Sequence, residues 1–118
     1  MANKFNVSLE KIIQNFNLEV IYMPKDASEI LIDENDVTRP GLQLMGFYEY
    51  FNPERMQIIG KMEFAYLSTI DETTRYQRLD MLLSQHIPAL IISRELPYFS
   101  EMLELAKKYE VPLLRSKE

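Results

Sequence analysis

Four polar residues in the middle of the chain are the candidates for contact with a ligand or a partner: Arg39, Tyr48, Glu54 and Arg55. Arg39 precedes a Pro-Gly turn that could aim its planar guanidinium at a carboxylate or a phosphate. The alternative is a salt bridge from Arg39 or Arg55 to a nearby glutamate, which would fix the central loop. The second interpretation is favoured, because paired Arg–carboxylate contacts are a common way of holding a loop.

An aromatic cluster surrounds Tyr48 and comprises Phe47, Tyr50 and Phe51 as well. These rings could stack on a ring-bearing ligand or anchor a partner subunit. Side chains so close in sequence cannot all face one core. We therefore expect at least one ring to be exposed, with core packing of the others.

The familiar catalytic and metal-binding patterns are absent from the sequence. The chain has no cysteine, which removes disulfides and thiolate chemistry. Its three glycines form no phosphate-binding pattern, and the segment from Ser93 to Pro97 contains no glycine. His86 is the one histidine and is expected in a partly exposed turn. We predict no catalytic residue.

An acidic turn at Asp33, Glu34 and Asp36 is the one place that suggests a hard cation. A calcium loop beginning at Asp33 would need glycine at its sixth position, where Thr38 stands. A solvated turn is favoured, and no metal site is predicted.

Composition narrows the class of protein. The chain has 118 residues, of which 47% are apolar, as expected for one domain spanning residues 1–118. Its 13 basic and 18 acidic side chains give a net charge of −5, which argues against a nucleic-acid partner. No export signal or membrane-spanning run is apparent, so we expect a soluble, cytoplasmic protein without a membrane partner.

The first half of the chain predicts a helix, two strands and an irregular helix. Ser8 can cap a helix that stops at Asn17, followed by a pair of strands over residues 18–22 and 30–33. Residues 42–51 then predict a short, irregular helix interrupted by Gly46.

The second half alternates strands with helices. Strands are predicted over residues 56–59, 89–92 and 111–114. Helices are predicted over 61–69, after a cap at Asp71, and over 99–109, with Arg75 and Arg78 turned away from the apolar side. This order predicts an α/β domain with a mixed β-sheet and helices on both faces.

The central stretch resembles the N-terminal domain of bacterial HPr kinase/phosphorylase. The resemblance rests on D-V-T-R-P-G-L-Q-L from Asp36, G-F from Gly46, E-R-M-Q-I-I-G from Glu54 and the following K-M-E. The opening N-L-E-V and the closing I-P-A-L-I-I-S-R and V-P-L-L-R-S segments extend it over nearly the whole chain.

This resemblance implies a bifunctional enzyme of carbon catabolite control. Such enzymes phosphorylate a serine of the phosphocarrier protein HPr with ATP or pyrophosphate, reverse this by phosphorolysis, use magnesium and form homo-hexamers. Their phosphate loop and catalytic residues lie in a C-terminal domain that is absent from this sequence. The resemblance also implies a fold like the N-terminal domain of MurF.

We therefore predict a regulatory and assembly domain that is inactive alone and whose partners are its C-terminal domain and sister subunits. Arg39, Tyr48, Glu54 and Arg55 would form structural or interface surface. The alternative hypothesis is a small-molecule-binding module for an anionic metabolite or a nucleotide sugar. A free-standing enzyme would need a carboxylate or His86 site, which the sequence does not assemble.

Overall fold

The structure is a computed structural model that describes residues 7–32, 37–49, 51–93 and 96–117. Within those ranges it contains seven strands, five α-helices and one 3-10 turn, at Ala27–Glu29. In chain order the elements are β1 (Val7–Ser8), α1 (Leu9–Phe16), β2 (Glu19–Tyr22), β3 (Leu31–Ile32), β4 (Val37–Thr38), α2 (Gly41–Leu44), β5 (Met56–Ile59), α3 (Lys61–Thr69), α4 (Glu72–Leu83), β6 (Leu90–Ile92), α5 (Ser100–Tyr109) and β7 (Leu113–Arg115).

A five-stranded mixed sheet with the order β2-β7-β6-β5-β4 is the centre of the fold. β4, β5, β6 and β7 are mutually parallel, and β2 adds an antiparallel edge beside β7. β1 and β3 form a separate two-stranded antiparallel sheet. The prediction of a mixed α/β sheet is confirmed.

Strand alternation divides the interior into two cores. Ile59, Ile92 and Leu113 face a core shared with α2, α3, α4 and α5. Their neighbours along the strands, such as Ile91 and Leu114, face a smaller core that includes α1 and β3. Helices therefore pack against both faces of the sheet, since successive strand side chains point to opposite sides.

Local sequence signals explain where the helices begin and end. The Ser8 hydroxyl accepts a hydrogen bond from the Lys11 amide at 3.2 Å, and the Asp71 carboxylate accepts one from the Thr74 amide at 2.7 Å. Both are N-caps, as predicted. The C-cap residue of α1 is Asn17, which adopts the left-handed conformation with φ of 55°. 

Two expectations about the first half are corrected. The strands predicted over 18–22 and 30–33 do not pair with each other: β2 pairs with β7, and β3 pairs with β1. The predicted helix over 42–51 covers only Gly41–Leu44. It stops because Gly46 has φ of 100° and the Phe47 amide donates back to the Leu42 carbonyl at 3.0 Å, which closes a Schellman turn.

The acidic turn at Asp33, Glu34 and Asp36 lies outside the described residues, so its solvated character stays a prediction. Within the described ranges, no helix is long and apolar enough to cross a membrane.

Candidate functional site

Arg39 lies immediately after β4 and packs against Gly60, which follows the neighbouring strand β5. A methyl group at Gly60 would lie 2.9 Å from Nη1 of Arg39 and 3.1 Å from Oε1 of Glu63. Glycine is therefore required for the guanidinium and the carboxylate to come this close to the backbone. We call Arg39, Gly60 and Glu63 the arginine–glycine junction.

Glu63 gives the junction its rigidity. Its side chain is buried, and Oε1 accepts a hydrogen bond from the Gly60 amide at 2.9 Å. Gly60 is the N-cap of α3 and Glu63 is the third helical residue, which is the spacing of a capping interaction. The second oxygen points toward Gly41, where a methyl group would lie 3.9 Å from it. The carboxylate thus caps the start of α3 and lies near the start of α2.

Tyr48 lies in the loop after α2, with its ring edge-on to Phe51 at a centroid distance of 5.3 Å. Its hydroxyl is buried and has no hydrogen-bond partner among the described residues. Burial raises the pKa of Tyr48 to about 12, and the positive charge of Arg78 opposes part of that rise. A buried phenol of this kind is suited to packing, because ionising it would leave a desolvated charge.

Arg78, from α4, lies against the same loop at Gly46. A methyl group at Gly46 would lie 2.5 Å from its Nη1 atom. Phe47 is exposed, which agrees with the expectation that at least one ring of the cluster faces solvent.

Glu54 and Arg55 lie at the other end of β5, before its first residue. Glu54 is exposed, and its amide donates to the Asn52 side chain at 2.9 Å in a tight turn. Arg55 is half-buried, and its carbonyl accepts a hydrogen bond from the buried Gln57 side chain at 3.0 Å. His86 is exposed, as expected, with φ of 61°.

The strand register separates two of the candidates, Arg39 and Arg55. Thr38 pairs with Gln57, so Arg39 is level with Ile58 and Arg55 is three residues earlier. At roughly 3.3 Å per residue, Arg39 and Arg55 are about 10 Å apart along the strands. This geometry therefore does not favour the small-molecule hypothesis. The described residues also contain no group of side chains suited to a metal ion.

Sequence reasoning missed a buried ion pair that joins three helices. Arg75, expected to face away, donates to Glu101 at 3.2 Å and to the Leu67 carbonyl at 3.1 Å. Its guanidinium also lies 4.3 Å from the centre of the Phe99 ring. The two charged residues are 26 positions apart, so no local pattern could have identified the pair.

These features define a small α/β domain in which residues such as Arg39, Gly60 and Glu63 pack at loops and helix ends. The residues that the structure describes do not assemble a catalytic centre. The model of the family described as HPr Serine kinase N terminus matches residues 7–118. The chain belongs to this family.

Relatives named HPr kinase/phosphorylase are similar over nearly the whole chain. The protein of Alkaliphilus metalliredigens is 46% identical over 111 residues, covering 94% of this chain and 36% of the relative. That of Caldicellulosiruptor bescii is 43% identical over 114 residues, covering 97% of this chain and 37% of the relative. The chain therefore spans a little over a third of the length of these relatives.

A solved structure supports the fold. The CBS and DRTGG domains of the regulatory region of Clostridium perfringens pyrophosphatase match with a TM-score of 0.64 and 17% identity, over 95% of this chain and 42% of that one. At this identity the likeness concerns the fold alone. The resemblance to the N-terminal domain of MurF stays a prediction.

Proposed function

We propose that this chain is the N-terminal regulatory and assembly domain of a bifunctional enzyme that phosphorylates a serine of HPr and removes the phosphate by phosphorolysis. The observation that carries the proposal is the family match over residues 7–118, together with relatives of that name of which the matched part is only 36%. In this proposal ATP and magnesium bind in the C-terminal domain. The enzyme acts in the cytoplasm, in carbon catabolite control.

The residues of the chain are consistent with phosphate transfer taking place in another domain. Its three glycines, at positions 41, 46 and 60, are too dispersed to cradle a phosphate. Two of them instead make room for arginine side chains. In this proposal Arg39 and Glu63 position the segment 39–49, which we call the motif loop, while Tyr48, Glu54 and Arg55 complete the structural or interface surface of the domain.

The motif loop also presents an apolar surface suited to contact with a sister subunit. Leu42, Met45 and Phe47 are 57%, 54% and 47% exposed within six consecutive residues. Clustered exposed apolar side chains mark interaction sites more often than isolated ones do. We assign this surface, which we call the motif-loop surface, to assembly of the homo-hexamer.

The test uses the full natural polypeptide that contains this domain, with HPr and radiolabelled ATP. The whole polypeptide should transfer phosphate to HPr, and the 118-residue chain should not. A whole polypeptide that binds no HPr and transfers no phosphate would refute the assigned activity.

Assembly is tested separately with Met45→Ser and the matched control Met81→Ser, because Met81 is 49% exposed on α4. Light scattering should show a smaller oligomer for the Met45 variant only. Oligomers of equal size in both variants would show that the motif-loop surface takes no part in assembly.

A further inference from the structure

The sheet face on the side of α1 is only partly covered, which is unusual for parallel strands. α1 has eight residues and is therefore about 12 Å long, and it shares this face with the small sheet of β1 and β3. Four helices cover the opposite face. Parallel sheets are normally covered on both faces.

The uncovered area forms a groove of about 680 Å³ beside the C-terminal half of α1. Its floor is apolar and consists of Ile58, Ile91 and Met56 from the sheet. Phe16 and Val37 form part of its walls and are 69% and 47% exposed. We call this surface the α1 groove.

The course of the chain indicates what fills the groove. The Ser116 amide donates to the Ile92 carbonyl at 2.8 Å, which holds the polypeptide on the sheet beyond β7. Ser116 and Lys117 then line the groove themselves. The matched part is only 36% of the Alkaliphilus metalliredigens relative, and the matching family is described as an N terminus. Their polypeptide therefore continues from the rim of the groove.

We infer that the α1 groove binds the apolar face of the segment that directly follows position 118 in the longer protein. This inference rests on the proposed function, because it requires a second domain. A segment tethered at the rim has a high effective concentration there, so a modest apolar contact is enough to hold it. Docking would bury Phe16 and Val37 and fix the orientation of the second domain relative to the sheet.

Hydrogen exchange of the full natural polypeptide, compared with the 118-residue chain, tests the docking. Peptides covering residues 12–18 should exchange at least about tenfold more slowly in the longer protein, because docking restricts the fraying end of α1. Peptides covering residues 72–83 on the opposite face should differ by less than about twofold.

Phe16→Ser, with Met62→Ser as the control, connects this protection to the groove. Met62 is 77% exposed and lies on α3, on the opposite side of the sheet. In the longer protein the Phe16 variant should lose the added protection and the Met62 variant should keep it. In the 118-residue chain both variants should leave the exchange of residues 72–83 unchanged, which shows that the domain still folds.

Three results would overturn the inference. They are equal exchange of residues 12–18 in the two proteins, protection that survives Phe16→Ser, and protection of the 118-residue chain that rises with its concentration, which would indicate a second copy in the groove. Phosphate transfer to HPr by the longer protein is measured in parallel. Transfer without groove protection refutes the docking alone, and protection without transfer refutes the assigned activity alone.

Discussion

Replacing Gly60 by alanine tests whether the arginine–glycine junction is a packed structural unit. The new methyl group would lie 2.9 Å from Nη1 and 3.3 Å from Cζ of Arg39, and 3.1 Å from Oε1 of Glu63. Glu63 is buried and hydrogen-bonded to the Gly60 amide, so it cannot retreat without losing that bond. Arg39 is exposed and can move away at a lower cost.

The size of the effect follows from opposing contributions. Crowding of a well-packed site costs about 1 to 3 kcal/mol, and a mobile Arg39 beside a fixed Glu63 places this site near the middle of that range, at about 2 kcal/mol. Alanine restricts the unfolded chain more than glycine does, which stabilises the folded state by about 0.4 to 1 kcal/mol. We expect Gly60→Ala to lower the free energy of unfolding by about 1 kcal/mol, or the melting temperature by about 4 °C for a domain of this size.

A double-mutant cycle with Arg39→Ala isolates the contact. Removing the guanidinium frees the space that the methyl group needs, so Gly60→Ala should then cost about 1 kcal/mol less. Gly41→Ala is the matched control, since its methyl group would meet only Glu63 Oε2, at 3.9 Å. That variant should be neutral or stabilising by up to about 1 kcal/mol, because alanine is the better helix former.

Urea unfolding followed by circular dichroism gives all the free energies required. If Gly60→Ala and Arg39→Ala are additive within about 0.3 kcal/mol, Arg39 does not pack on Gly60 and the structural explanation of the motif fails.

Three further predictions concern other buried groups and one helix cap. Tyr48→Phe should leave the free energy of unfolding at neutral pH unchanged or slightly higher, because the hydroxyl is buried and lacks a partner among the described residues. Burial raises the pKa of Tyr48 to about 12. The protonated hydroxyl therefore contributes fully to stability below about pH 10, where unfolded tyrosine titrates, and this contribution is lost as the pH rises through about 12. The Phe variant should not show that loss when unfolding is measured as a function of pH. Glu101→Ala should lower the free energy of unfolding by about 2 kcal/mol, because it leaves Arg75, only 16% exposed, without its carboxylate, and Glu101→Gln should cost less. Asp71→Ala should cost about 1 kcal/mol through loss of the α4 cap, with Glu72→Ala as the control.

Each of these expectations has a clear contrary result. A Tyr48→Phe variant that loses more than about 1 kcal/mol would indicate that the hydroxyl has a hydrogen-bond partner. Equal losses in Glu101→Ala and Glu101→Gln would show that charge and hydrogen bonding at this site matter less than packing. A neutral Asp71→Ala would mean that the cap seen in the structure contributes nothing in solution.

The sequence predicts the elements of this fold well wherever the signal is local. Ser8 and Asp71 identify helix starts because an N-cap side chain bonds to a backbone amide only three residues later in the sequence. The unbroken apolar run around Ile91 identifies a strand covered on both faces, and its strand lies between two parallel neighbours.

Pairings between distant segments could not be predicted in the same way. β2 pairs with β7, with Glu19 opposite Arg115, and nothing near Glu19 in the sequence specifies that partner. The prediction of two neighbouring strands was wrong because closeness in sequence was the available guide. β3 instead pairs with β1.

The candidate site shows the same limit. Arg39 is placed beside a Pro-Gly turn by local sequence, but its neighbour Gly60 is 21 residues away. Glu63 could have been identified, since a glutamate three residues after a helix start is a known capping signal. The separation of Arg39 from Glu54 and Arg55 depends on strand register, which the sequence does not reveal.

We propose that this domain provides shape and contact surface while another domain transfers phosphate. The most direct measurement is transfer of radiolabelled phosphate from ATP to HPr by the full natural polypeptide and by the 118-residue chain at equal concentration. We predict transfer by the first and none above background by the second. Phosphorylation of HPr by the 118-residue chain alone would contradict the claim.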